Sequence, residues 1–187
     1  MKQIILIRHA KVDIDSSEKM DSASLKIWVE SYDTANIHAD SLPNQETRDV
    51  VNHIDVLVTS SLRRAIDSAK VLGVDIYESD AVFNEVLIPE VNIPFLKLKP
   101  KRWLVILRVM LLVGLGKKDA SLKAAKTQAI GASKRLLELS NTYDTVVLVG
   151  HGGMNWLIRK ELMKEGWSLE PHASNKNWGM TVLNLKA

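Results

Sequence analysis

Three short apolar runs, each ending where a polar or glycine-containing turn begins, constrain the fold of this chain more than any other feature. Ile4-Ile5-Leu6-Ile7 runs into Arg8-His9-Ala10, Val56-Leu57-Val58 into Thr59-Ser60-Ser61, and Val146-Val147-Leu148-Val149 into Gly150-His151-Gly152-Gly153. Runs without alternation, rich in β-branched residues, fit strands buried on both faces, as in a parallel sheet covered by helices. Helical segments are expected between them. Residues 22–34 carry Leu25, Trp28, Val29 and Tyr32 at helical spacing; 45–53, 61–72, 120–140 and 153–165 read as further helices. A short third strand is expected over 74–78 and a last one near Met180–Leu185. Alternating strands and helices give an α/β fold. The expectation is a three-layer α/β/α domain over residues 1–187. Its twisted sheet is mostly parallel, with one antiparallel edge strand near the C-terminus.

Open α/β sheets bind ligands at the carboxyl ends of their strands. Arg8, His9 and His151 all fall at such ends. An imidazole near neutral pH serves as nucleophile, acid or base. An arginine beside it offers a forked cation that suits phosphate oxygens.

Four segments, taken in order, carry a resemblance. They are Arg8-His9-Ala10; Ser60-Ser61-Leu62-Arg63-Arg64-Ala65-Ile66-Asp67-Ser68-Ala69; Asn84-Glu85; and Val149-Gly150-His151-Gly152. This order resembles the histidine phosphatase superfamily, which includes the cofactor-dependent phosphoglycerate mutases. The compact bacterial-type phosphatase branch is the nearest pattern. The likeness runs from the first strand to the last.

The resemblance implies that His9 takes the phosphoryl group as a phosphohistidine. It implies that Arg8, Arg64 and His151 surround the phosphate, since phosphoryl transfer needs positioning and positive charge more than bond chemistry from the protein. Arg64, which precedes the alanine of the motif, is selected over Arg63. Gly150, Gly152 and Gly153 allow close backbone approach, and Gly152 and Lys11 are counted with the phosphate-binding residues. Glu85 is the expected general acid, with Glu78, Asp80 and Glu90 as rivals nearby. Ser60 and Ser61 are read as helix caps. No metal or cofactor is implied.

The chain also departs from the family pattern. Ala10 replaces a glycine. Lys11-Val12 replaces an acidic–hydroxyl pair, and Asp15 falls where relatives carry a phosphate-contacting asparagine. The glycine–glutamine segment after the first loop and the G-E-S motif before the penultimate helix are missing; Lys117-Lys118-Asp119-Ala120-Ser121 stands in the second place. These gaps favour a phosphatase over a mutase. The alternatives are a phosphomutase, a protein phosphohistidine phosphatase and a non-catalytic phosphate-binding module.

Composition narrows the partners. The chain lacks cysteine, which excludes disulfides, thiol catalysis and cysteine–metal sites. Its start is too weakly apolar for a signal peptide, so a cytoplasmic location is expected. A net charge of +3 is modest, and no nucleic-acid partner is expected. Residues 86–118 form an expected substrate-cap insertion. Within it Trp103 to Leu115 is almost wholly apolar, interrupted by Arg108 and flanked by Lys97, Lys99, Lys101, Arg102, Lys117 and Lys118. It is too short to cross a bilayer, which takes about 20 apolar residues. A buried helix, a homodimer face, a membrane-surface contact through 102–116, or a cover over an apolar leaving group are the readings. The partner expected is a small phosphorylated substrate. His38, His53 and His172 read as surface or loop residues. Trp156, Trp167 and Trp178 read as packing residues, with Trp178 in a loop expected at the border of the pocket.

Overall fold

A computed structural model describes residues 2–185. The three apolar runs are strands β1 (Lys2–Arg8), β2 (Val56–Ser60) and β4 (Thr145–Gly150). With β3 (Glu78–Asp80), β5 (Ser168–Leu169) and β6 (Met180–Leu185) they form one sheet in the order β3-β2-β4-β1-β6-β5. Strands β1 to β4 are mutually parallel, and β6 runs antiparallel to β1. The antiparallel strand therefore comes where expected, with the two-residue β5 paired along its outer side. The third strand lies at Glu78–Asp80 rather than 74–78. It pairs with the last residues of β2, Val58 to Ser60, while Val74 and Ile76 pack against the core ahead of it without joining the ladder.

The run-on apolar pattern of the strands is explained by burial on both faces. Ile4, Leu6, Val56, Val58, Val146 and Leu148 face helices α5 (Leu122–Thr142) and α6 (Gly152–Lys164). Ile5, Ile7, Leu57, Val147 and Val149 face the other side, where Ala65 and Ala69 of α3 (Arg63–Leu72) and Val51 of α2 (Gln45–Val51) complete the core. Alternate residues of one strand thus feed two cores, as the period of two in a strand requires.

The insertion packs elsewhere. Trp103 and Leu107 of α4 (Pro100–Leu112) meet Leu25 of α1 (Ser22–Thr34) in a third, smaller apolar cluster. Pro100 opens α4, where its missing N–H costs nothing. Trp103 donates from Nε1 to the Met20 carbonyl at 2.7 Å. Met20 and Leu98 form an antiparallel bridge, and Ile93 N donates to Ser22 Oγ at 2.8 Å. Residues 86–112 are thereby tied to α1 and stand beside the sheet's carboxyl edge. Helix α4 buries only one face. Leu111 is 5% exposed, whereas Leu112 is 50% and Val113 66% exposed. Val105 and Val109 lie on the same outer face. Among the described residues no helix is long and apolar enough to cross a membrane.

Candidate active site

The parallel register brings the motif residues to one edge. Arg8 pairs with Gly150, and Thr59 with Val149, so Arg8-His9, Ser60 and His151 emerge side by side. The rings of His9 and His151 lie 5.1 Å apart, centroid to centroid. Both are buried, His9 at 2% and His151 at 0% exposure.

His9 Nδ1 lies 2.6 Å from the Ala10 carbonyl. A carbonyl only accepts, so Nδ1 carries the proton and donates. Burial first, then the charge of Arg64, push the His9 pKa down to about 3; the Ala10 bond opposes them, and the charge of Arg8 adds a smaller push downward. The ring is therefore neutral at physiological pH, with a lone pair on Nε2. The backbone around it is fixed as well. His9 N donates to the Gly150 carbonyl at 3.0 Å, Asn177 Nδ2 donates to the His9 carbonyl at 2.9 Å, and Ala10 N donates to Ser68 Oγ at 2.8 Å.

His151 Nε2 lies 2.6 Å from Ser60 Oγ, and that oxygen also accepts from Leu62 N at 3.3 Å. Burial, then Arg64, His9 and Arg8, holds His151 well below the ordinary histidine pKa. The serines expected as caps do other work. Ser60 ends β2 and holds His151, Ser61 N and Oγ both donate to Asn84 Oδ1 at 3.0 Å, and Leu62 stands at the N-cap of α3 with no side-chain cap bond. The correction has a physical cause. A capping oxygen must face the helix's free N–H groups; Ser61 Oγ turns to Asn84, and Ser60 Oγ turns to His151 and reaches no further than Leu62 N, ahead of the first helical turn.

Arg64 and Arg8 supply the charge. Arg64 is 3% exposed, pairs with Asp33 Oδ1 at 2.7 Å and lies 4.9 Å from the centroid of the Tyr32 ring. Arg8 donates to the Asn175 carbonyl at 2.7 Å. Arg63, as expected, stays outside, bonding Asp67 and the Thr34 carbonyl. Three buried nitrogens at this edge have no partner among the described residues: Arg8 Nε, Arg64 Nε and His151 Nδ1. The two guanidinium nitrogens are donors, and unpaired buried donors cost folding free energy, on the order of 1–3 kcal/mol each. An anion would satisfy them.

Glu85 arrives from the other side. Its Oε1 accepts from Met154 N at 3.0 Å and its Oε2 from Gly153 N at 3.4 Å, at the start of α6. Arg108 Nη2 is 3.9 Å from Oε2. The rivals are engaged elsewhere. Glu78 pairs with Arg135, Asp80 caps Val82 N, and Glu90 pairs with Lys26 at the surface. Lys11 is exposed; its backbone bonds Ser41 and His38, and its ammonium has no polar partner among the described residues. Asp15 turns its carboxylate to the Ser17 amide and hydroxyl at 2.8 and 3.0 Å.

Several residues were not singled out from the sequence. Asp33 and Tyr32 attend Arg64. Gln128 of α5 donates to the carbonyls of Val82 and Asn84, at 3.1 and 3.0 Å, and fixes the turn that carries Glu85. Arg108 was noted only as an interruption in an apolar run. No local signal marks them, because each acts on a residue far off in the chain, as Arg64 with Asp33, Gln128 with Val82 and Arg108 with Glu85 show. Trp178 is buried in the core with a φ of 61°, and its Nε1 donates to the Ser41 carbonyl at 3.0 Å. Trp167 is a core residue, and Trp156 lines a cavity. Among the described residues no group of three or more His, Cys, Asp or Glu side chains is placed to hold a metal ion.

A cavity of about 310 Å³ opens beside this edge, lined by Arg8, Glu85, Arg108, Asn175, Gly152 and Gly153 together with the apolar Val86, Ile88, Leu112, Leu122 and Trp156.

Solved structures with this arrangement of elements exist. A mycobacterial glucosyl-3-phosphoglycerate phosphatase complexed with VO3 aligns over 99% of this chain and 98% of its own, with 17% identity and a TM-score of 0.63. A phosphoserine phosphatase from Entamoeba histolytica, in complex with 3-phosphoglyceric acid, aligns over 97% and 90%, with 16% identity and a TM-score of 0.60. The product of an open reading frame of Mycobacterium tuberculosis aligns over 100% and 96%, with 12% identity and a TM-score of 0.63. The chain has the phosphoglycerate mutase-like fold. At these identities the likeness is one of architecture. No family model matches the sequence, and no curated protein matches it.

Proposed function

We propose that this chain is a phosphatase of the histidine phosphatase superfamily, hydrolysing phosphomonoesters through a phosphohistidine on His9. The observation that carries the reading is the pair His9 Nδ1–Ala10 carbonyl at 2.6 Å, in a ring too buried to protonate. It leaves Nε2 unprotonated beside two arginines. The Nε2 lone pair attacks phosphorus, and the bond from phosphorus to the ester oxygen breaks. The leaving oxygen takes a proton from Glu85, giving the free alcohol. Water then loses a proton to the Glu85 carboxylate and attacks the phosphohistidine. The P–N bond breaks, its electron pair returns to Nε2, and inorganic phosphate leaves.

In this reading Arg8 and Arg64 compensate the charge on the phosphoryl oxygens. His151 donates from Nδ1, with Ser60 donating to its Nε2; Gly152 lets the backbone come close. Lys11 in this reading reaches the phosphate by turning its exposed ammonium inward. The exposed valines of α4, flanked by lysines, are our proposed contact surface for a second copy of the chain or for a lipid headgroup layer. Elution volume and vesicle sedimentation separate the two.

The test is hydrolysis of p-nitrophenyl phosphate with a chelator present, native protein against His9→Ala. Activity that survives chelation and falls at least a thousandfold in the variant supports the reading. Equal rates in both proteins would refute it. Phosphate binding without turnover in the native protein would favour a phosphate-binding module instead. Transfer to an added alcohol in preference to water would favour a mutase.

A further inference from the structure

We infer that the natural leaving group is an apolar alcohol, with a hydrocarbon body several carbons long and no carboxylate. The inference rests on the phosphatase reading for its reacting end and on the cavity for the rest.

The cavity continues directly from the reacting groups. Arg8, Glu85 and Gly153 line it, and in the phosphatase reading Glu85 is the group that meets the leaving oxygen. Whatever is bonded to that oxygen must extend along the cavity. There it meets Val86 and Ile88 from the loop after Glu85, Leu112 from α4, Leu122 from α5 and Trp156 from α6. These come from four separate elements, so the apolar lining is a product of the tertiary fold. At about 310 Å³ the space is at the small end of ligand sites, which begin at about 300 Å³.

Four polar side chains line the cavity among the described residues: Arg8, Glu85, Arg108 and Asn175, whose backbone carbonyl accepts from Arg8. Glu85 is held by the amides of Gly153 and Met154, and Arg108 faces Glu85 at 3.9 Å. A sugar or an amino acid as leaving group would place hydroxyls, an ammonium or a carboxylate against the leucines and the tryptophan. Burying such groups without partners is unfavourable, whereas each methylene buried there is favourable. Among the described residues Arg108 is the one lining cation besides Arg8, and to recognise a second acidic group it would have to leave Glu85.

Alkylphosphonates test this without needing turnover. Calorimetric titration of the native protein with methyl-, butyl- and hexylphosphonate is expected to show affinity rising roughly threefold per methylene. The rise should flatten in Leu112→Gln and, as a second variant, Leu122→Gln. A flat series in the native protein, no binding at all, or tighter binding of phosphoserine than of hexylphosphonate would overturn the inference. Hydrolysis of hexyl phosphate keeps the two readings apart. Chain-length-dependent binding without hydrolysis sinks the phosphatase and leaves the ligand class standing. Hydrolysis of small phosphates with a flat series sinks the ligand class alone.

Discussion

A β-carbon on Gly153 would lie 2.6 Å from Glu85 Oε1, closer than such contacts occur. The glycine and the carboxylate are complementary: one stays small so that the other can reach the amides at the start of α6.

Gly153→Ala is therefore expected to separate activity from stability. The obstructing atom is the far end of a flexible side chain, which can swing away. The helix gains up to about 1 kcal/mol in propensity and loses a hydrogen bond of about the same worth. The melting temperature should move by only a few degrees. The rate should fall roughly tenfold to a hundredfold, toward that of Glu85→Gln. Full activity in the alanine variant would show that the observed position of Glu85 is not the working one.

The buried neutral state of His9 makes a prediction about acid. Its folded pKa is about 3, against an ordinary value of 6.5. Between these values the unfolded chain binds the proton and the folded chain does not. The contribution to stability is thus complete above pH 6.5 and is lost as the pH falls toward 3. Urea unfolding at pH 6.5 and at about pH 5 should show the native protein losing roughly 1–2 kcal/mol more than His9→Ala over that interval. His151 acts in the same direction in both proteins. Equal losses would mean that His9 takes up a proton within the folded state.

Arg64 depends on Asp33 for its only anionic partner among the described residues. Asp33 is half exposed and Arg64 is not, so Asp33→Asn leaves a buried cation without compensation. A destabilisation of roughly 1–3 kcal/mol is expected. Inorganic phosphate should recover more stability in the variant than in the native protein, because it replaces the missing charge. Thermal melts with and without phosphate measure both effects. Equal phosphate protection in the two proteins would place Arg64 outside the anion site.

Neighbouring residues of α4 should respond in opposite ways. Leu111 is buried and also bounds the cavity, so Leu111→Ala should cost about 2–4 kcal/mol. Val109, on the outer face, should tolerate serine within about 0.5 kcal/mol. Substitution of Leu111 and Leu112 together by serine, the obvious probe of the apolar segment, would confound folding with specificity. Chemical denaturation of the single variants checks the assignment.

Much of the fold was legible because its signals are local. Strands buried on both faces announce themselves as continuous apolar runs, and Ile4–Ile7, Val56–Val58 and Val146–Val149 each became the strand expected of them. The positions of Arg8, His9 and His151 followed, since a parallel sheet puts all its carboxyl ends at one edge. The short strand near residue 78 was displaced because its pairing partner, not its own sequence, sets where it begins. Similarly, nothing in Ser60-Ser61 itself distinguishes a cap from a hydroxyl that holds a histidine 91 positions away.

The amino-acid sequence by itself determined the alternation of strands and helices and the set of residues at the sheet's carboxyl edge, since both follow from short-range patterning. Only the tertiary structure decided the protonation state of His9, the pairing of Arg64 with Asp33, the seating of Glu85 on α6 and the apolar cavity beside it. Each of these depends on burial or on contact between segments far apart in the chain. Desolvation and Coulomb interaction are set by distance in space, which no local pattern of residues encodes.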